Sequence, residues 1–143
     1  MATVIRKPWG REILYALGPG YAGKIIIVER GRRLSLQYHE RKHETIHVLE
    51  GRLVLRIEDR ERVLKAGSGA VIPPGTVHRF EARFGRVTVL EVSTPELSDV
   101  VRLEDDFDRV GVPAERVYEK VVEGRKAGNC GRAKHLRRVR RKK

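Results

Sequence analysis

The sequence predicts an all-β protein built as a small barrel or sandwich. Short runs of β-branched and apolar residues recur along the first two thirds of the chain, and turns containing glycine or proline separate them. No alternation of strand and helix patterns is visible, which argues against a parallel doubly wound sheet. The length of 143 residues and the apolar content of 40% correspond to one domain with one modest core.

Each predicted strand is bounded by a turn signal. Pro8 lacks an amide donor, so KPWG at Lys7–Gly10 is not expected inside a sheet, and we expect Trp9 to lie against the outside of the barrel. The predicted turns are Gly18–Gly23, Glu50–Arg52, which joins a hairpin, and Glu58–Glu61. The predicted strands are Arg11–Tyr15, Lys24–Glu29, Leu34–His39, Thr45–Leu49, Leu53–Ile57, Arg62–Leu64, Ala70–Ile72, Val77–Glu81 and Val87–Val92.

The periodicity changes near the C-terminus. Val117 and Val121 lie four residues apart, as do the residues that follow each of them, and this apolar stripe is typical of a helix. Pro113 suits the first helical position and Gly124 suits the stop. We therefore divide the chain into a barrel (residues 1–112), a short helix (residues 113–123) and a basic tail that we expect to be disordered (residues 124–143).

Positive charge is concentrated in that tail. The chain carries 31 Lys and Arg against 19 Asp and Glu, and residues 124–143 hold ten of the cations and no acid. Such a tail attracts polyanions, including nucleic acid, but no aromatic residue is interleaved for base stacking, so a solvated tail ranks ahead of a specific nucleic-acid function. The single cysteine, Cys130, and the lack of a signal-peptide or membrane-spanning pattern lead us to expect a cytoplasmic protein without a membrane partner.

Four side chains in two segments have the spacing of a metal site. Gln37, the only glutamine, and His39 are two residues apart, so an extended strand places both on one face. Glu44 follows a polar turn and opens the next predicted strand, and His78 ends a second segment, Gly67–His78. We expect the four groups to converge on one divalent metal inside the barrel. Two nitrogen and two oxygen ligands suit zinc, iron, manganese, cobalt or nickel without selecting among them.

These segments resemble the two motifs of the cupin superfamily, with Gln37 in place of the first histidine. Within cupins, the chain is similar to type II mannose-6-phosphate isomerases, which also form the C-terminal domain of bifunctional mannose-1-phosphate guanylyltransferases. The matching pieces are KPWG at residues 7–10, Lys24, LSLQYH at residues 34–39, IPPGTVHR at residues 72–79, Glu91 and DVVRLEDDFDR at residues 99–109. The resemblance implies a jelly-roll barrel of the cupin type.

The chain departs from the isomerase pattern at four positions. Ala82 stands for the usual Asn at the end of the second motif, and Lys42 stands for Arg. Ile46 replaces a usual Trp, and Asp108 replaces a usual Gly. The expected metal ligands are all retained, so the departures bear on the substrate and on the isomerase activity.

The resemblance implies aldose–ketose isomerisation of a sugar phosphate through an enediolate. One divalent metal, zinc in the first place with manganese, iron, cobalt or nickel as alternatives, would polarise the carbonyl and the adjacent hydroxyl of the open-chain sugar. Lys24 and Glu91 match positions of the isomerase pattern and are the expected catalytic groups. One of them moves a proton between neighbouring carbons, and Lys24 either acts as that base or stabilises the enediolate charge.

A sugar phosphate requires cations around its phosphate group. We expect Arg79, Arg102 and Lys42 to bind it, because arginine pairs bidentately with phosphate.

One alternative function is a non-catalytic, metal-containing cupin that holds a sugar or a nucleotide sugar. A second is iron-dependent dioxygenase chemistry, against which Gln37 argues because that chemistry relies on more histidine ligands. We expect a homodimer by analogy with other cupins. We expect no bifunctional enzyme, since no guanylyltransferase segment precedes the barrel.

Overall fold

The strands of the protein form two antiparallel sheets. The computed structural model describes residues 2–114, 118, 119, 123 and 124. Its strands are β1 (Thr3–Lys7), β2 (Gly10–Gly18), β3 (Tyr21–Val28), β4 (Leu36–Tyr38), β5 (Glu44–Glu50), β6 (Arg52–Ile57), β7 (Arg60–Lys65), β8 (Gly69–Ile72), β9 (His78–Glu81), β10 (Val87–Ser93) and β11 (Val101–Glu104). The order in the first sheet is β1-β2-β3-β10-β5-β8, and the order in the second is β11-β4-β9-β6-β7. The predicted all-β fold is confirmed.

The core lies between the two sheets and is built from alternating strand residues. Period-two alternation sends every second side chain of a strand inward, where each fully buried Leu, Ile or Val contributes about 1.5–3 kcal/mol. The first sheet supplies Ile26, Val28, Ile46, Val48, Ile72, Val87 and Val89. The second sheet supplies Leu53, Leu55, Leu64 and Phe80. The core fills one end of the barrel and leaves the other end to polar groups.

Trp9 lies in this core, so the expectation that it packs outside the barrel is wrong. Its side chain is only 3% exposed and belongs to the same cluster as Ile26 and Leu34. Pro8 and Trp9 form the turn between β1 and β2. Because Pro8 lies in the turn and not within a strand, its missing N–H costs the sheet no hydrogen bond. The turn can therefore pack close to the core, with the Trp9 indole in the interior. A Cβ atom at Gly10 would lie 2.0 Å from the Ile27 carbonyl oxygen, so glycine is required where the turn meets β3.

Two edge strands were not predicted from the sequence. In β1 only Ile5 is buried, and in β11 no residue is. An edge strand with so few buried side chains leaves little periodic signal. The turn predicted at Gly18–Gly23 is also shorter than expected, because β2 runs to Gly18 and β3 begins at Tyr21.

The C-terminal predictions fall mostly outside the described residues. Of the helix predicted at residues 113–123, Pro113 and Ala114 are described and are not helical, whereas Tyr118, Glu119 and Glu123 are described and have helical conformation. The remaining positions of that helix after residue 114, and the basic tail from residue 125, lie outside the described residues. Within the part of the chain that the structure describes, no helix is long and apolar enough to cross a membrane.

Asp108, which replaces a usual glycine, has a backbone φ of 57°. Aspartate and asparagine tolerate this left-handed conformation better than other residues with a side chain. We expect Asp108→Asn to change the free energy of unfolding by less than about 0.5 kcal/mol, and Asp108→Val to lower it by about 1–2 kcal/mol. Urea unfolding of the two variants measures both values. Equal stability of the two variants would contradict this account.

Candidate metal centre

Three neighbouring strands change from apolar to charged inward residues at the same end of the barrel. The charged residues are Lys24 on β3, Glu91 on β10 and Glu44 on β5, and all three are buried. Lys24 lies directly opposite Glu91, and Ser93 lies directly opposite Glu44. The alternation that fills the core with valine and isoleucine therefore also directs these charges into one cavity.

His39, Glu44 and His78 meet in this cavity. One ligand atom from each of them lies within 4.8 Å of the others. The Glu44 Oε1 atom is 3.0 Å from Nε2 of His78 and 3.6 Å from Nε2 of His39. All three side chains are buried. The structure thus brings together three of the four predicted ligands from three separate strands or strand ends.

The two histidines are oriented by their other ring nitrogen. Nδ1–H of His78 donates to the Thr76 carbonyl at 2.9 Å, and Nδ1–H of His39 donates to the Asp99 carbonyl. Because a carbonyl only accepts, these bonds leave Nε2 of both neutral rings with a lone pair. Among the described residues, neither Nε2 atom has a hydrogen-bond partner. Two nitrogen lone pairs facing a carboxylate oxygen are unfavourable unless a cation lies among them, so a divalent metal fits this group.

The charges around the three ligands also suit a divalent cation. Nζ of Lys42 lies 2.7 Å from Glu44 Oε2 and 2.7 Å from Glu91 Oε1. Lys42 therefore occupies one oxygen of Glu44 and leaves Oε1 to the histidines. Burial would raise the pKa of Glu44, but the charge of the Lys42 ammonium group is the largest of the opposing effects, and the pKa lies well below its usual value. With Glu12 and Lys24, the cavity walls carry three buried carboxylates against two buried ammonium groups.

Gln37, the fourth predicted ligand, also lines the cavity. It lies directly opposite His78 in the pairing of β4 with β9. Its Oε1 atom accepts a hydrogen bond of 2.7 Å from the Ser35 hydroxyl. An amide oxygen has two lone pairs, so this bond leaves one for a metal. Coordination by Gln37 stays a prediction.

The comparisons with known proteins identify the family. The family model described as a cupin domain matches residues 24–93, which include all four predicted ligands. The chain contains a cupin domain. The chain is 31% identical over 118 residues to the alginate biosynthesis protein AlgA of Pseudomonas aeruginosa, covering 79% of this chain and 24% of that protein. It is 31% identical over 114 residues to the mannose-1-phosphate guanylyltransferase ManC of Salmonella typhimurium, covering 77% of this chain and 24% of that protein.

The solved structures share the fold. A protein from Silicibacter pomeroyi, described as a sugar phosphate isomerase from a cupin superfamily, has a TM-score of 0.57 and 21% identity. The match covers 74% of this chain and 76% of that one. At 21% sequence identity, the similarity shows only that the two proteins share the barrel fold. The chain spans about a quarter of the length of the two curated relatives.

Asp99 organises the turn between His39 and Glu44. Sequence reasoning did not single it out. Its carboxylate accepts the backbone N–H groups of Glu40, Arg41 and Lys42 at 3.0, 2.7 and 2.8 Å. Burial would raise its pKa, but these three bonds lower it overall. Asp99 thereby holds Lys42 and, through its carbonyl, His39. The only signal for Asp99 in the sequence was its position at the start of residues 99–109, a stretch that matches the isomerase pattern.

Glu12 is a second buried group that sequence reasoning missed. Its Oε2 atom lies 3.2 Å from Nζ of Lys24 and accepts a hydrogen bond from the Tyr118 hydroxyl. Burial would raise the pKa of Glu12, but Lys24, Lys7 and the Tyr118 bond lower it to about 2. Burial would lower the pKa of Lys24, but Glu12 and Glu91 outweigh it and raise the pKa. Lys24 is therefore an ammonium group at neutral pH.

The two predicted phosphate-binding arginines differ in position. Arg102 lines the cavity, and its Nη1 atom donates to the Val112 carbonyl at 3.1 Å. Arg79 is absent from the cavity lining formed by the described residues. Its Nε atom donates to the Leu34 carbonyl at 3.0 Å and its Nη2 atom to the Glu104 carbonyl at 3.3 Å. Because His78 points inward, its strand neighbour points to the opposite face. The structure does not bring Arg79 to the metal ligands.

The pKa of Glu12 makes folding stability depend on acid pH. A carboxyl whose pKa falls from 4.5 in the unfolded chain to about 2 in the folded protein stabilises the fold above pH 4.5. We expect about 3 kcal/mol of stability to disappear as the pH falls from 5 towards 2. Unfolding free energies of the wild type and Glu12→Gln should converge over this range. A constant difference between them would contradict the lowered pKa.

Proposed function

We propose that the protein is a metal-dependent sugar-phosphate isomerase of the mannose-6-phosphate isomerase type. The observation that carries the proposal is the buried His39–Glu44–His78 group beside Lys24 and Glu91 in one cavity. The name of one curated relative includes mannose-1-phosphate, and one structure of the same fold is described as a sugar phosphate isomerase. Both descriptions support a carbohydrate-related role for the cupin domain.

His39, Glu44 and His78 would hold the metal, with Gln37 as the fourth ligand. The metal when bound would polarise the carbonyl and the neighbouring hydroxyl of the open-chain sugar, which lowers the cost of an enediolate. The donor set suits zinc, and it also suits manganese, iron, cobalt or nickel.

Proton transfer falls to Lys24 and Glu91. Because the pKa of Lys24 is raised, its ammonium group donates a proton or stabilises negative charge and does not abstract a proton. Glu91 is then the base that moves a proton between the two carbons. Lys42 contacts Glu91 Oε1, which orients the carboxylate and leaves its Oε2 atom for the substrate.

The outer part of the cavity supplies cations for a phosphate. Lys7, Arg102 and Arg109 line it together with Lys24 and Lys42, so the lining carries more cations than carboxylates. Arg109 is paired with Asp105 through two hydrogen bonds of 2.7 and 2.9 Å. We assign the phosphate to Arg102 and Lys7, which line the cavity, in place of Arg79, which is absent from the lining formed by the described residues.

The alternative is a non-catalytic cupin that holds a sugar or a nucleotide sugar at the metal. The departures from the isomerase pattern at Lys42, Ile46 and Ala82 favour it, whereas the size of the cavity limits both functions. The interior volume of ≈ 60 Å³ admits an ion and a few waters, whereas pockets for whole small molecules measure about 300–1,000 Å³. In the isomerase only the reacting end of the sugar would enter this space, with the phosphate at the mouth.

Turnover of sugar phosphates decides between the two functions. Full-length protein is loaded in turn with zinc, manganese, iron, cobalt and nickel and assayed for conversion of mannose-6-phosphate to fructose-6-phosphate. A panel of other hexose and pentose phosphates follows. Metal-dependent turnover that chelation abolishes supports the isomerase. Stoichiometric metal with sugar binding but without turnover on any substrate supports the binding protein.

A homodimer belongs to the proposal. A row of apolar side chains crosses the outer face of the first sheet, where Val4 lies opposite Ile13, Ile13 opposite Ile25 and Ile25 opposite Leu90. A continuous apolar row on an outer sheet face is a common protein contact surface. Sedimentation of Leu90→Asp should show monomer where the wild type shows dimer. The control Val63→Asp, at an exposed position of the second sheet, should sediment as the wild type does.

A further inference from the structure

Tyr118 joins the C-terminal segment to the wall of the cavity. Its hydroxyl donates to Glu12 Oε2, the same oxygen that contacts Nζ of Lys24 at 3.2 Å. Nζ of Lys24 also lies 4.8 Å from the centre of the Tyr118 ring, and Nζ of Lys7 lies 4.9 Å from it. Tyr118 is only 5% exposed. One tyrosine therefore contacts Lys24 directly through its ring and indirectly through Glu12.

We propose that Glu12 and Tyr118 are a positioning pair for Lys24, which fixes its ammonium group on the cavity wall beside Glu91. This inference rests on the proposed isomerase function. It adds two residues from outside both cupin motifs to the machinery of that site, one on β2 and one after the last strand.

The geometry favours positioning over simple charge neutralisation. A lysine side chain has four rotatable carbon–carbon bonds and many rotamers, so a single ion pair leaves its ammonium group poorly directed. Here a carboxylate and an aromatic ring define two directions for the same Nζ atom. The Tyr118 hydroxyl in turn restrains the carboxylate, which is carried by a strand paired to β3. Each of the two residues thus depends on the other to direct Lys24.

Kinetics of Glu12→Gln, Tyr118→Phe and the double variant test the pair in the metal-loaded, full-length protein. We expect each single variant to lower kcat by about 10- to 100-fold with little change in KM, as for residues that orient a catalytic group. Because the residues act through each other, the double variant should lose about as much as the worse single variant. The controls are Glu50→Gln and Tyr21→Phe, at exposed positions, and they should keep wild-type kcat.

Chemical labelling of Lys24 gives a readout that needs no turnover. Acetylation by acetic anhydride is followed by mass spectrometry, with the exposed Lys65 as the internal reference. We expect the rate for Lys24 relative to Lys65 to rise about tenfold in both single variants, because a released ammonium group samples solvent. Metal content should stay at the wild-type level.

The two readouts separate the possible failures. Absence of turnover in the wild type overturns the isomerase, and the labelling ratio then still decides whether Glu12 and Tyr118 hold Lys24. Normal turnover in the wild type with unchanged kcat and labelling in both variants overturns the positioning pair alone. Additive losses of kcat in the double variant would show two independent structural roles and would also overturn the pair.

Discussion

Replacing His78 by alanine is expected to reduce metal affinity by more than about 100-fold, because losing a ligand costs more than losing a residue that only orients one. Nε2 of His78 lies 3.0 Å from Glu44 Oε1, in a group where three ligand atoms converge. Its removal leaves two converging ligands and Gln37. Metal content after dialysis, measured by elemental analysis, should fall from about one ion per chain to a few per cent.

His47→Ala is the matched control for this experiment. His47 lies on β5 with Glu44 but is exposed, so its removal should leave the metal content unchanged. Circular dichroism of His78→Ala should show the β-sheet signal of the wild type. A full complement of metal in a folded His78→Ala protein would mean that the ion is held elsewhere, and the proposed centre would be rejected.

Glu91→Gln is expected to lower kcat by about 100- to 10,000-fold, the range typical of a lost general base. Glutamine preserves the shape of the side chain and its contact with Lys42 but accepts no proton. Glu91 is not one of the three residues whose ligand atoms converge, so metal content should stay at the wild-type level. The measurement is kcat for the sugar phosphate that the wild type turns over, with metal content determined on the same sample.

Glu29→Gln is the control, since Glu29 is the partner of Arg86 at the surface and lies far from the metal ligands in the sheet. Its kcat should equal that of the wild type. A Glu91→Gln enzyme with wild-type kcat and a full complement of metal would show that another group moves the proton. The Glu91 carboxylate of the wild type would then serve only to hold Lys42.

Period-two alternation made much of the site predictable. The inward series Val28, Ile26, Lys24 on β3 can be read directly from the sequence, as can the inward position of Glu44 at the start of its strand. The same reasoning places Arg79 on the face opposite His78, and applying it would have removed Arg79 from the expected phosphate site. Strand geometry acts on every residue of a strand, so the preference of arginine for phosphate does not decide which face Arg79 takes.

Other features required the folded chain. Asp99 meets Glu40, Arg41 and Lys42 from almost 60 residues away, and Tyr118 meets Glu12 across 106 residues. The side chains involved are ordinary aspartate, glutamate and tyrosine in short segments with no metal-ligand spacing. Trp9 likewise entered the core because the β1–β2 turn folds inward, which no local pattern indicates.

The amino-acid sequence by itself determined the strands from β2 to β10, the alternation of their side chains between two faces and the residue types that favour a divalent metal, because these properties depend on neighbours a few positions apart. Only the tertiary structure decided that Lys42 bridges Glu44 and Glu91 and that Glu12 and Tyr118 contact Lys24. Those contacts depend on which strands pair and in which register. Strand pairing is a property of the whole barrel, since each added strand is placed by the hydrogen bonds and buried side chains of the others.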